Sequence, residues 1–253
     1  MRSNVVCVSV ASAALFLFSA AAQASTVEIG KIDPGLALSC PSSPVTKKCY
    51  ALSHVTGYQA KVGTKRGLMS VPSDGRIVAF TVALGKPGPK QAAFFTDGDS
   101  KIGAPALGEP EIQLTILDPK RKLRSRVVAQ SQPFLLRRYF GQTITIALGR
   151  SLQVKKGQIV AITTKTWAPV FAIDLPTDTS WRASREKGSC SDFSQQVAQT
   201  EPAQLAQYYC LYRGVRLGYS ATLITAPIPN AGTTPTKQPA TGTTGTTGPA
   251  KKP

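Results

Sequence analysis

The side chains that most often carry catalysis are few and scattered in this chain. The only histidine is His54, and a triad with Asp74 would need a nucleophilic serine, but no serine lies in a Gly-x-Ser-x-Gly turn. Glu109 and Glu111 stand close together, as two glycosidase carboxylates would, yet they precede a row of residues predicted to face solvent. We therefore interpret His54 as a surface or loop histidine and the glutamates as solvated, and we predict no catalytic residue.

Metal and phosphate motifs are equally weak. Residues 97–100 (DGDS) place two carboxylates beside a glycine, but Lys101 follows, and no bidentate glutamate stands at the spacing of a calcium loop. Residues 85–90 (GKPGPK) contain two prolines, and we expect an irregular loop with no helix after it to present backbone amides to a phosphate. The sequence thus predicts a turn over 97–100, no metal site and no cofactor.

Four cysteines follow the N-terminal apolar segment that contains Cys7. An even number of cysteines in an exported chain indicates disulfides, and four allow three pairings. We predict the two pairs that close the shortest loops, Cys40–Cys49 and Cys190–Cys210. A zinc site is the rival interpretation, but the chain has no Cys-x-x-Cys pair and only one histidine.

The densest cluster of cations lies in residues 118–126 (DPKRKLRSR). After one acid come the candidate ligand-binding residues Lys120, Arg121, Lys122, Arg124 and Arg126. No acid occurs between Asp118 and Asp174, although the same interval also contains Arg137, Arg138, Arg150, Lys155, Lys156 and Lys165. Because like charges repel, a purely structural surface usually mixes the two signs.

A hairpin around Pro119–Lys120 would order these cations. It pairs Ile116–Leu123, Leu114–Ser125 and Ile112–Val127 on the inner face, and Leu117–Lys122, Thr115–Arg124 and Gln113–Arg126 on the outer face. Lys122, Arg124 and Arg126 would then form an exposed row spaced about 7 Å apart, with no acid directly opposite. A longer loop is the alternative, since two-residue hairpins prefer turns in which proline does not fit.

The two ends of the chain differ from its middle. Residues 1–24 combine Arg2, an apolar run and the small residues around Ala24, which is typical of a signal peptide cleaved after Ala24. A membrane anchor is the alternative for this run, and no second stretch approaches spanning length. Residues 227–253 are rich in Gly, Thr and Pro, and we predict a disordered tail. The mature chain is thus expected to be secreted, with no transmembrane segment.

Residues 25–226 show the pattern of one all-β domain. Apolar side chains alternate with polar ones in 76–84, 111–117, 142–148, 159–164 and 209–223, which indicates half-buried antiparallel strands. The best helical window, 192–199, is short. We predict a single antiparallel β-sandwich or jelly-roll-like domain.

Two phrases in this domain, SDGRIVAFTV and LQVKKGQIVAI, resemble recurring strands of secreted bacterial β-sandwich domains of uncharacterised function. The resemblance covers about residues 60–226. It implies the same fold and export, and it brings no catalytic residue.

Charge and export together suggest a class of partner. The chain carries 30 basic and 13 acidic residues, a net charge of +17. We expect a non-catalytic envelope or extracellular protein whose basic face binds an acidic cell-envelope polymer or anionic surface, with no nucleic acid as physiological partner. The alternatives are a solvated face that only protects a strand edge, and a carbohydrate-binding or purely structural domain. For a carbohydrate-binding domain, the candidate residues that would stack on a sugar are Trp167, Trp181, Tyr208 and Tyr212.

Overall fold

Antiparallel strands dominate the computed structural model, which describes residues 25–41, 48–191, 197 and 201–225. The predicted all-β class is confirmed. The predicted signal peptide (1–24) and tail (227–253) lie outside the described residues, as does most of the helical window 192–199.

The smaller of the two main sheets has four strands. In spatial order they are β1 (Thr26–Ile29), β15 (Tyr219–Thr225), β4 (Gly75–Ala83) and β8 (Thr143–Val154). The alternation in β4 buries Ile77, Phe80 and Val82, with a register shift against β8 after Ile77. This sheet therefore turns one apolar face toward the rest of the domain.

The larger sheet contains nine strands. Its main path runs β12 (Leu205–Gln207), β6 (Arg124–Gln130), β5 (Glu111–Pro119), β9 (Ile159–Ala168), β2 (Leu52–Val62), β11 (Ser180–Ala183) and β13 (Leu211–Arg213). Strand β3 (Lys65–Arg66) pairs with β2, and β7 (Phe134–Leu135) pairs with β5. A separate two-stranded ribbon joins β10 (Phe171–Ala172) to β14 (Arg216–Leu217).

The larger sheet curls until its two ends approach each other. Strands β12 and β13 stand at opposite ends of the path, yet only residues 208–210 separate them in the chain. Three extended residues span about 10 Å, so a flat sheet of this width is impossible. We call residues 203–213 the closing segment, because it pairs with β6 on one side and with β11 on the other.

Curling buries both faces of the larger sheet. Ile112, Leu114 and Ile116 pack into the core between the two sheets. On the other face, Leu117 packs with Val127 in a smaller cluster, which also holds Ala161 and Tyr208. Strand β5 is consequently buried on both sides, although its sequence alternates as a half-buried strand does.

Two sequence predictions about secondary structure are wrong, one in residues 85–90 and one in residues 209–223. A helix, α1 (Pro89–Asp97), follows the glycines of 85–90, where we expected an irregular loop and no helix. The prolines that suggested a loop include Pro89, which starts the helix at a position where its missing N–H is harmless. A 3-10 helix (Arg137–Tyr139) also interrupts the strands.

The predicted strand over 209–223 is divided into β13, β14 and β15. Gly214 breaks the pattern at a φ of 70°, a backbone conformation that disfavours other residues. Tyr209 is exposed, whereas Leu217, Tyr219 and Leu223 are buried.

Both predicted disulfides, Cys40–Cys49 and Cys190–Cys210, are present. The first closes a loop between β1 and β2, and the second ties the segment after β11 to the closing segment.

Candidate functional site

The hairpin formed by β5 and β6 carries the predicted cations, but in a different register. Asp118 stands opposite Arg126, and Leu117 stands opposite Val127. The predicted pairs Leu117–Lys122 and Ile116–Leu123 are therefore wrong. Leu117 is fully buried and Leu123 is 42% exposed, the reverse of the predicted facing.

A longer loop and an extra residue cause this shift. Lys120 and Arg124 close a loop by a 2.7 Å bond from the Lys120 amide to the Arg124 carbonyl. Within the loop, Lys122 and Leu123 both have positive φ, near 58° and 57°. A further register shift falls between Ile116 and Leu117, where one strand has an additional residue. The alternation of apolar and polar residues predicts which face of the sheet a side chain occupies only when the positions of such bulges are known.

Neighbouring segments fix the loop in place. The Gln207 side-chain amide donates to the Lys122 carbonyl at 3.2 Å, and the Tyr208 amide donates to the Leu123 carbonyl at 2.8 Å. The loop that carries three of the predicted cations is therefore held by backbone contacts to the closing segment, while its charged side chains remain in solvent.

All five predicted binding residues are exposed. Arg124 and Arg126 alternate with the buried Ser125 and Val127, so both project from one face of β6. Lys122 lies in the turn and not in the predicted strand row. The prediction that no acid stands opposite is also wrong, because Asp118 faces Arg126 across the hairpin. That carboxylate, however, forms its 2.6 Å ion pair with Lys120.

Two further lysines join this surface. A shallow cleft is lined by Asp118, Pro119 and Val128 on one side, and by Lys155 and Lys156 of the turn before β9 on the other. Both lysines are exposed. We use the name basic end for the set Lys120, Arg121, Lys122, Arg124, Arg126, Lys155 and Lys156.

Few carboxylates offset the charge of the basic end. Asp118 pairs with Lys120, and Asp74 accepts a 2.8 Å bond from the backbone amide of Lys156. Seven cations and these two acids leave a net charge of +5. Within the ranges that the structure describes, the other six side chains of the basic end are in no ion pair. The arrangement can attract anions and has no group that would discriminate among them.

Elsewhere, one cation from the interval between Asp118 and Asp174 pairs with an acid that lies outside this interval in the sequence. Arg137 donates two bonds to the Glu109 carboxylate, at 2.7 and 2.8 Å. These hydrogen bonds lower the pKa of Glu109. Glu109 is thus a partner of an arginine, and Glu111 begins β5.

The weaker catalytic and metal candidates stay apart. His54 sits at a register shift near the start of β2, opposite the last residues of β9, whereas Asp74 contacts the turn before β9 begins. The length of β9, about 30 Å, separates them. Asp99 accepts a bond from the Lys101 amide at 3.0 Å within a turn. Among the described residues, no group of three His, Cys, Asp or Glu side chains has the arrangement of a metal site.

Three of the four aromatic candidates are buried, and two of the four line a cavity. Trp167 is fully buried and stacks on Phe95, and Tyr208 lies in the smaller core cluster. Trp181 and Tyr212, in contrast, stack on each other and line a cavity of about 450 Å³. Sequence reasoning named Tyr208 and Tyr212 together as stacking candidates and missed Arg185, which also lines the cavity. No local pattern marks Arg185, because its cavity partners come from distant segments.

None of the helices in the described part of the chain is long and apolar enough to cross a membrane. Comparison of the whole chain with known protein families, with curated proteins and with solved structures gives no match.

Proposed function

We propose that this is an exported, non-catalytic protein that holds an acidic polymer or anionic surface of the cell envelope at its basic end. The observation that carries the proposal is the net charge of +5 on one end of the curled sheet. Export is supported by the sequence of residues 1–24 and by the two disulfides, which persist in oxidising compartments.

The geometry favours an extended partner over a compact ion. The cations occupy two loops and one strand face, and all their side chains are exposed. A single small anion would leave most of them unused. A polymer or surface meets several at once, and each contact in solvent contributes about 1 kcal/mol. An envelope polymer is favoured over nucleic acid because it shares the compartment to which the chain is sent.

The experiment compares wild type with the variant K122Q/R124Q/R126Q. Binding is measured to vesicles that contain phosphatidylglycerol and to a polyuronate, with neutral vesicles and a neutral polysaccharide as references. We expect roughly a hundredfold weaker binding, since three contacts of about 1 kcal/mol each are lost. Folding should persist, because the three side chains are in solvent.

A charge-matched control is available at the other end of β9. The variant K86Q/K90Q/K101Q removes three exposed lysines around α1, whose Phe95 stacks on Trp167 near the last residue of β9. It has the same net charge as the test variant and should bind nearly as wild type does. Raising salt from about 50 to 200 mM should weaken wild type far more than the test variant.

Equal binding by wild type and K122Q/R124Q/R126Q at low salt would leave the cations as a solvated strand end. Equal weakening by both triple variants would mean that overall charge, and not the basic end, attracts the partner.

A further inference from the structure

A cavity of about 450 Å³ lies where β2, β10, β11 and β13 meet. Its aromatic wall is formed by Trp181, which stacks on Tyr212 with ring centres 4.9 Å apart, and by Phe171, 5.2 Å from Trp181. Tyr50 stands at the mouth and is 46% exposed. The volume falls within the range of small-molecule sites, about 300–1,000 Å³.

Charged side chains converge on the same cavity. Arg185 is only 5% exposed, and its guanidinium donates to the Tyr212 hydroxyl at 2.9 Å. Arg213 and Asp174 are both exposed and both line the cavity, with Asp174 on the loop after β10. Burial of a charged group costs free energy unless hydrogen bonds or an opposite charge compensate for the lost water.

The cavity is built rigidly. The Cys190 carbonyl accepts bonds from both the Arg185 guanidinium, at 3.1 Å, and the Tyr212 hydroxyl, at 2.8 Å. The disulfide to Cys210 holds Cys190 in this position. Gly57 allows Trp181 to lie against β2, since a side chain there would meet the indole at 2.7 Å. A preformed site of this kind loses little entropy on binding.

The other disulfide supports the mouth of the cavity. Tyr50 directly follows Cys49, and its carbonyl accepts a 2.9 Å bond from the Ser39 hydroxyl. Cys40, the partner of Cys49, directly follows Ser39. Both disulfides of the protein therefore fix residues of this one cavity.

The combination of groups restricts the chemistry of a ligand. Aromatic faces accept the apolar side of a sugar ring or another aromatic ring. Guanidinium groups bind carboxylates, often through two parallel bonds. The Asp174 carboxylate accepts bonds from hydroxyl groups and repels a ligand that presents only acidic groups. A ring that bears both hydroxyls and one carboxylate satisfies all three.

We propose that the cavity binds one carboxylated sugar ring of the uronic-acid type. The ring lies against the aromatic wall, its carboxylate faces Arg213 and Arg185, and its hydroxyls face Asp174. This inference does not rest on the function proposed for the basic end, because a single sugar acid carries one charge and can fill the cavity alone.

Titration with glucuronate, and with glucose as its neutral counterpart, tests the inference. The protein has two tryptophans, and the variant W167F leaves Trp181 as the fluorescent reporter beside the cavity. We expect glucuronate to change the emission and to bind at least about tenfold more tightly than glucose. Ligand-observed NMR on the unmodified protein checks that binding does not depend on W167F.

Two substitutions at exposed positions test where the ligand binds without disturbing the core. R213Q should weaken glucuronate about tenfold and glucose much less, because only the carboxylate contact is lost. D174N should weaken both sugars, and asparagine tolerates the positive φ of 58° at this position. The variant K122Q/R124Q/R126Q serves as the matched control and should bind glucuronate as wild type does.

Three outcomes would overturn the inference. Failure of both sugars to bind at millimolar concentration removes the site, and equal affinity for the two removes the role of the carboxylate. Loss of glucuronate binding in K122Q/R124Q/R126Q but not in R213Q places the sugar at the basic end. The vesicles contain no sugar, so none of these results bears on vesicle binding, and the two proposals fail separately.

Discussion

The basic end and the cavity hold their charged groups in opposite ways. At the basic end, cations such as Arg124 are exposed and few have a carboxylate partner. In the cavity, Arg185 is buried and fixed by Tyr212 and by a carbonyl beside a disulfide. Exposed cations attract any polyanion, and this attraction weakens with salt. An enclosed charge beside aromatic rings instead selects ligands by their shape. The two proposals thus assign attraction to one place in the fold and discrimination to another.

The largest effect expected concerns the support of the basic end. Leu117→Ala should destabilise the protein by about 2–5 kcal/mol, because Leu117 is fully buried beside Val127. Leu123→Ala, in the loop of the same hairpin, should change stability by less than about 0.5 kcal/mol. Urea unfolding measures both. A larger loss for Leu123→Ala would restore the register that the sequence alone suggested.

The second effect separates the two regions directly. Removing the Cys190–Cys210 disulfide by C190A/C210A should cost about 3 kcal/mol, as expected for a loop of this length. It should also abolish glucuronate binding, because the carbonyl that orients Arg185 is released. Salt-sensitive polyuronate binding should remain. If both kinds of binding fall together in folded protein, the basic end and the cavity are one site.

A smaller effect appears at high pH. Burial raises the pKa of Tyr208 well above its ordinary value of 10.0, so its phenol stays neutral in the folded state. Stability from this group is therefore complete below about pH 10, the pKa of an unfolded tyrosine, and is lost as pH rises above it. Tyr208→Phe should flatten this alkaline loss in urea unfolding between about pH 8 and 11.

Tyr212→Phe is the counterpart in the cavity wall. Burial raises the pKa of Tyr212 as well, but the nearby Arg185 opposes the shift. The alkaline loss should consequently change less in Tyr212→Phe than in Tyr208→Phe. A greater change in Tyr212→Phe would mean that the cavity phenol is the more strongly desolvated of the two.

The smallest effect is expected where an arginine already has its partner. Arg137→Gln should cost less than about 1 kcal/mol, since its pair with Glu109 is exposed. Arg137 lowers the pKa of Glu109, so the contribution is present above the ordinary glutamate pKa near 4.3 and disappears as pH falls below it. Thermal melts of wild type and Arg137→Gln should differ slightly at pH 7 and converge in acid; a difference that persists in acid would point to packing rather than charge.

The sequence predicted those parts of the fold that depend on local patterns. Alternation of side chains marked β4, β5, β8 and β9, and the two shortest cysteine loops gave the correct disulfides. The faces of the β5–β6 hairpin were predicted wrongly, because one extra residue near Leu117 and a loop ending at Leu123 change the register. Neither feature leaves a periodic trace in the sequence.

The two candidate sites also differ in how far the sequence could predict them. The cations of residues 118–126 are adjacent in the chain, so their exposure could be predicted although their row could not. The cavity draws on four separated segments, around Tyr50, Phe171, Arg185 and Tyr212. Its members meet because β11 pairs with β2 on one side and with β13 on the other. Such a site is invisible to any pattern shorter than the domain.

The position of the closing segment also determines when the domain can be completed during synthesis. Leu205 pairs with Arg126, and Ile224 at the other sheet pairs with Thr26, nearly the first described residue. A growing chain that stops before Leu205 lacks the strands that finish both sheets. Most of the polypeptide must therefore be made before either sheet can close, and contacts so distant in sequence form slowly.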